Sequence, residues 1–198
     1  MEFHDGSREL QDRFDTRRIA DRIDDVLVKD TIDDRSAAFI ARRDMFFLAT
    51  ADAQGRPTCS YKGGDPGFVR VVDERTVAFP NYDGNGMYLS AGNLLVNPHV
   101  GMLFIDLVRG SRLRLDGVAR IDEDDELAAD YPQAQFVVRV TVDRLYPNCP
   151  RYIHRYEQVE RSAFVPRAGT PTPVPDWKRQ SWAADALPAD DTARRTGE

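Results

Sequence analysis

The chain has 198 residues, 41% of them hydrophobic, which is enough for one domain with a buried core and no covalent staples. Its 27 Lys and Arg stand against 33 Asp and Glu, a formal net charge of −6 with the signs interspersed, which argues against a nucleic-acid surface. No apolar run approaches the roughly 20 residues that cross a bilayer, and the N-terminal MEFHDGSREL has no signal-peptide apolar region, so a cytoplasmic protein without membrane contact is expected.

Between residues 7 and 27, Leu10, Phe14, Ile19, Ile23, Val26 and Leu27 recur near helical spacing, predicting one or two amphipathic helices that cover the body of the protein. A short helix is expected over Asp34 to Arg43. From Met45 the texture changes to short apolar runs bounded by turn residues. MFFLAT and RPTCSY read as a hairpin bent at Asp52 to Gly55, and Phe68 to Val72 with Thr76 to Pro80 read as a second. Further strands are predicted over Val100 to Asp106, Arg112 to Ile121 and Gln135 to Leu145, the last with Phe136, Val138, Val140 and Val142 alternating with polar residues. Helices are expected over Met87 to Val96 and Pro150 to Arg161, with a weaker candidate at Glu123 to Asp130. The absence of a regular strand–helix alternation favours a closed barrel over a βαβ sheet. Beyond Ala163, TPTPVPDW and ALPADD predict an extended tail, partly docked and then frayed.

The two cysteines, Cys59 and Cys149, form no CxxC pair, and His4, His99 and His154 have no metal-ligand spacing, so reduced thiols and no metal are expected. The stretch Pro80-Asn81-Tyr82-Asp83-Gly84-Asn85-Gly86-Met87 links a strand to a helix through glycines and side-chain amides. Backbone N–H groups there, with the positive end of the following helix, can receive a phosphate; the alternative is a solvated turn with a good helix start. A helix end contributes only about 0.3–1 kcal/mol, so other donors are needed. Ser90 and Asn93 in the helix and Lys62, Arg112 and Arg114 on strands are the candidates. Ser60-Tyr61-Lys62-Gly63-Gly64, at a strand end, offers accessible backbone to the edge of a flat aromatic ligand, unless it is an ordinary strand end with a bulge. Asn148-Cys149-Pro150 reads as a helix start, which would place Cys149 at a positive helix end beside Arg151 and lower its thiol pKa; no base is placed to make it a nucleophile. Arg112 and Arg114 share one strand face, for which a solvated basic surface is the default, and Trp177 and Trp182 either cover a ligand or anchor the tail.

Taken in order, FFLATADAQGRPTCSYKGG, VAFPNYDGNGMYLSAGNLLVNPHVGMLFID, RLRLDGVARI and NCPRYI resemble the pyridoxamine 5′-phosphate oxidase-like flavin-binding proteins over about residues 35 to 160, and within them a predicted flavin-nucleotide-binding branch. The resemblance implies a mainly β, α+β fold: a six-stranded split β-barrel with flanking helices. It also implies a homodimer with FMN at the interface. The implied organisation is an N-terminal helical segment (1–34), an FMN-binding barrel (35–162) and a Pro/Ala/Asp-rich tail (163–198). The strand from Cys59 to Gly63 would run along the isoalloxazine and ribityl chain, and Phe79 to Ser90 would hold the phosphate. Together with the residue reading, this nominates Ser60, Tyr61, Lys62, Gly63, Pro80, Asn81, Asn85, Gly86, Ser90, Asn93, Arg112 and Cys149 as cofactor-binding residues. The chain departs from the oxidase where that enzyme has a Ser-x-Lys phosphate grip, at Tyr88 and Ser90, and it lacks the oxidase's C-terminal substrate-gripping arginine and histidine. Pyridoxal phosphate synthesis is therefore not implied. The expectation is an FMN-dependent oxidoreductase acting on a small molecule, with a nicotinamide cofactor as electron donor. The alternatives are an FMN carrier or sensor, or a relative that binds deazaflavin or haem.

Overall fold

The computed structural model of the chain describes residues 3–195; the outer ends of the expected N-terminal segment and tail, residues 1–2 and 196–198, lie outside the described residues. The chain divides into two units, Met1–Val159 and Glu160–Glu198, so the N-terminal helices and the sheet fall in the same unit.

The first unit is built on the strands β1 (Met45–Ala51), β2 (Pro57–Gly63), β3 (Arg70–Asp73), β4 (Thr76–Asn81), β5 (His99–Asp106), β6 (Ser111–Asp122) and β7 (Phe136–Pro147). They form one antiparallel sheet of seven strands in the order β2-β1-β5-β6-β7-β4-β3. The β1–β2 turn is set by Asp52, whose Oδ1 accepts from the N–H groups of Gln54 and Arg56, both at 2.9 Å, with Gly55 at φ +78°. Period-two patterning sends one face of each strand inward: Phe46, Leu48 and Thr50 on β1, and Val100, Met102 and Phe104 on β5, are buried. Between β6 and β7 the register shifts at Asp116/Gly117. Here a Cβ on Gly117 would lie 2.2 Å from the Thr141 carbonyl oxygen, so only glycine lets the strands approach.

The sheet is rolled. The ring of Phe46 on β1 packs edge-on against Phe79 on β4, with centroids 5.0 Å apart, and also meets Phe104 at 5.3 Å and Phe68 at 5.8 Å. Strands β1 and β4 are separated in the sheet by β5, β6 and β7, so their aromatic contact requires the sheet to curl upon itself. The edge strands β2 and β3 do not pair, which leaves the barrel split.

Helices α1 (Asp5–Arg13), α2 (Arg17–Leu27) and α3 (Asp34–Ala41) precede the sheet and α4 (Leu89–Val96) interrupts it; α3 packs beside β3, and α4 against β1, β2 and β6. Asp33 caps α3 by accepting from the Ser36 N–H at 2.8 Å, and Ile40 anchors the helix in the core. Two buried ion pairs tie loops to the body. Arg43 reaches Asp106 at 2.9 Å, and Arg139 forks onto both carboxylate oxygens of Asp125. No helix among the described residues is long and apolar enough to cross a membrane.

The structure corrects several expectations. The resemblance implied six strands and there are seven, because the short β3 extends the sheet beyond β4. No helix spans Pro150 to Arg161; a turn at Arg151 and Tyr152 leads into irregular backbone, where Tyr152, Tyr156 and Val159 stay exposed and the Tyr156 N–H bonds the Leu107 carbonyl at 3.0 Å instead of a helical partner. The weaker candidate at Glu123 to Asp130 is a single 3-10 turn over Glu126–Asp130. The N-terminal helices form at α1 and α2, yet Leu10, Phe14, Ile19, Ile23, Val26 and Leu27 stay exposed, so they do not bury their apolar face as expected. The tail is not simply extended. It holds a 3-10 turn at Asp176–Arg179, the one-turn helices α5 (Ser181–Ala184) and α6 (Thr192–Arg195), a Lys178–Asp191 ion pair of 2.7 Å with both side chains buried, and stacked Trp177 and Trp182 rings 6.0 Å apart.

Replacing Phe46 with Ala removes the ring at the centre of the roll and is expected to lower the unfolding free energy by about 3–5 kcal/mol, read from urea denaturation. A loss no larger than that of an exposed substitution would contradict the central placement of this ring.

Candidate functional site

Cross-strand register decides which side chains of β2 face inward. Lys62 is paired with Phe46, Ser60 with Leu48 and Thr58 with Thr50; directly opposed residues share a face, so the polar side chains of Thr58, Ser60 and Lys62 lie on the same side as the apolar interior of β1. Tyr61 lies on the other face, exposed, with its ring edge-on to Phe47 at 6.0 Å.

The roll brings this edge of the sheet against the end of β4 and the loop leading into α4. Between them is a recess of about 210 Å³, lined by Ser60, Lys62, Asn81, Tyr82, Gly84, Asn85, Gly86, Tyr88, Leu89, Ser90 and Ala91. Several features point its walls toward an anion. Lys62 is half-buried with no hydrogen-bond or ion-pair partner among the described residues, and burial pushes its ammonium pKa down. The loop before α4 is turned by Gly86 at φ +74° and Tyr88 at φ +47°, while Asn85 Oδ1 accepts from the Met87 N–H at 3.1 Å. Tyr88 occupies the cap position of α4 without a side-chain cap bond, so no side chain closes the first turn of the helix. Ser60 Oγ and Ser90 Oγ lie 2.9 Å apart; one hydroxyl donates to the other, which leaves one hydroxyl hydrogen free to donate elsewhere. Tyr82 also lines the recess, its phenol pKa raised by burial and by Asp65, so it stays a neutral donor.

The structure thus gathers Ser60, Lys62, Asn81, Asn85, Gly86 and Ser90 around one recess. The other nominated residues stand elsewhere. Gly63 ends β2 under the Tyr61 ring, where a Cβ would come within 2.7 Å of a ring carbon. Pro80 is buried in β4 opposite Val137, beyond the last β3 pairing at Ala78, so its missing N–H interrupts no β3 bond. Asn93 donates to Thr50 Oγ1 at 3.0 Å and to Thr58 Oγ1 at 3.3 Å, a clamp that fastens α4 to the β1–β2 hairpin. Arg112 lines a different recess and donates to Asn148 Oδ1 at 3.2 Å. Cys149 is exposed with no helix beside it. Its thiol pKa is lowered by the backbone N–H and the guanidinium of Arg151, whose Nε lies 3.0 Å from the sulfur. The nomination omitted Tyr82, Gly84, Tyr88, Leu89 and Ala91, although all belong to the loop and helix start that the glycine and asparagine pattern marked.

A family model described as pyridoxamine 5′-phosphate oxidase matches residues 32–150. Comparison with curated proteins found no match. Among solved structures, the chain is similar to an FMN-binding protein of Syntrophomonas wolfei (12% identity, 72% of this chain and 97% of that one, TM-score 0.47). It is also similar to the haem storage protein HutZ of Vibrio cholerae (25% identity, 58% and 93%, TM-score 0.43) and to HupZ of Group A Streptococcus (19% identity, 59% and 93%, TM-score 0.48). The family model spans more than half of the chain and all seven strands of its rolled antiparallel sheet. The chain therefore belongs to the pyridoxamine 5′-phosphate oxidase family and has its α+β split-barrel fold.

Proposed function

We propose that the protein binds FMN, with the phosphate in the recess between β2 and α4, and works as an FMN-dependent oxidoreductase on a small molecule. The observation that supports this most is Lys62, a half-buried ammonium without a counter-charge that faces a recess also lined by a free hydroxyl hydrogen and an uncapped helix start. A phosphate supplies the charge that each of these groups lacks. The lysine missing from the oxidase grip in α4 is thereby replaced from the neighbouring strand. The flavin supplies two-electron chemistry when bound. The chain's part is to hold the phosphate, to keep Tyr82 protonated as a donor, and to set the ring against the exposed end of β2.

Size favours a second chain at the site. The recess measures about 210 Å³, below the roughly 300–1,000 Å³ of sites that enclose a small molecule. One chain can therefore enclose the phosphate end, and the remainder of the nucleotide needs another surface. The exposed side chains of Leu10, Phe14, Ile19 and Ile23 in the N-terminal helical segment offer a face for such a partner, and we infer a homodimer with FMN at its interface.

Purified protein mixed with FMN and dialysed is expected to keep a flavin spectrum, and reduction by NADH or NADPH followed by reoxidation with an acceptor would establish turnover. Lys62→Met removes one charge-assisted bond and is expected to weaken FMN about tenfold to a hundredfold, with the melting temperature retained; unchanged affinity would remove Lys62 from the site. Affinity also depends on pH. Because the free protein's Lys62 pKa is lowered, FMN binding should weaken as pH rises through that value, beginning below the ordinary lysine range near about 10.4, and the Lys62→Met protein should lack this phase.

A further inference from the structure

A second recess, of about 330 Å³, lies among the end of α2, the start of α3 and the paired strands β6 and β7. None of its lining residues belongs to the Lys62 recess. Its volume is within the range of small-molecule sites, roughly 300–1,000 Å³. The walls are apolar, with Leu27, Phe39 and Leu145 among them, but the charged groups are unbalanced: Lys29, Arg35 and Arg112 stand against Asp33 alone. Asp33 is already committed, since it pairs with Lys29 at 2.6 Å and caps α3 through the Ser36 N–H. The Lys29 ammonium and the Asp33 carboxylate therefore cancel, and Arg35 and Arg112 remain in excess.

Arg112 carries the second observation. Its Nη2 donates to Asn148, but its Nε is buried with no hydrogen-bond partner. Buried polar groups are nearly always satisfied, and each one left open costs about 1–3 kcal/mol. A buried guanidinium N–H beside an apolar recess is what an anionic oxygen would complete.

We propose that this recess is a separate binding site for a small organic carboxylate with an apolar body, its oxygen accepting from Arg112 Nε and its charge balanced by Arg112 and Arg35. The apolar body lies against Leu27, Phe39 and Leu145. The match is to a monoanion with an apolar body, because the excess positive charge of Arg35 and Arg112 shares the recess with Leu27, Phe39 and Leu145.

Calorimetric titration of the full chain with 3-phenylpropionate, and with the neutral 3-phenylpropionamide as control, tests this. The expected result is one carboxylate bound per chain, at least about tenfold more tightly than the amide, the factor of a single charge-assisted hydrogen bond. Arg112→Gln should abolish that preference while FMN retention is unchanged. Leu27→Trp, which fills the recess from its exposed side without touching either arginine, should block the carboxylate and leave the melting temperature in place. Equal binding of acid and amide, or no binding of either, would overturn the proposal. Displacement of the carboxylate by saturating FMN, or loss of FMN retention in Arg112→Gln, would also overturn it by making the recess part of the flavin site. The titration does not require the flavin reading, since a protein that fails to hold FMN can still be titrated with the acid.

Discussion

Contact between Phe46 and Phe79 is the constraint on which the other features depend. Four phenylalanine rings from β1, the segment before β3, β4 and β5 meet in one cluster, and they can do so only if a sheet whose order keeps β1 and β4 far apart is curled. Burial of large aromatic side chains, each contributing on the order of 2–3 kcal/mol, favours this curvature over a flat sheet. The recess is a consequence of the same curvature. Ser60 and Lys62 come from one edge of the sheet and Asn81 from near the other, and without the roll they would not share a wall.

Lys62 is the point where function departs from what stability alone would select. Its neighbours across β1 are Phe46 and the core, so an apolar residue would serve the barrel better. Three other enclosed cations are paired: Arg43 with Asp106, Arg139 with Asp125, Lys178 with Asp191. Asp106 shows how such pairing works, since burial alone would raise its pKa, but the Arg109 N–H and the Arg43 guanidinium more than offset this and keep it below the ordinary carboxylate range. Lys62 has no such compensation, and its pKa falls. A cation kept in that state is suited to a ligand that brings the missing charge.

Much of the barrel was legible in the sequence because its signals are local. Alternation in β5 and β7, Asp-x-x-Gly at the first turn and helical spacing in α1 and α2 each act over a few residues. The loop that lines the recess before α4 was legible for the same reason, through Gly84, Asn85 and Gly86. What escaped was set by tertiary context. Pro150 has the look of a helix start, but Tyr152, Tyr156 and Val159 after it stay exposed and the Tyr156 N–H bonds the distant Leu107 carbonyl, so the helix does not form. Asn93 looks like a ligand donor beside Ser90, yet the fold places it over Thr50 and Thr58, where its amide serves to hold α4 on the hairpin. Arg112 was grouped with Lys62 by charge type, while the strand order puts β6 two strands from β1 and lines a different recess with it. Spacing along the chain carries no information on such separations.

The most direct test of the account compares FMN with riboflavin, which has the same ring and ribityl chain without the phosphate. If the Lys62 recess holds the phosphate, titration should show FMN bound about a hundredfold or more tightly than riboflavin, the worth of two or more charge-assisted hydrogen bonds. Equal affinities would show that the phosphate makes no contact of consequence, and would contradict the assignment of this recess.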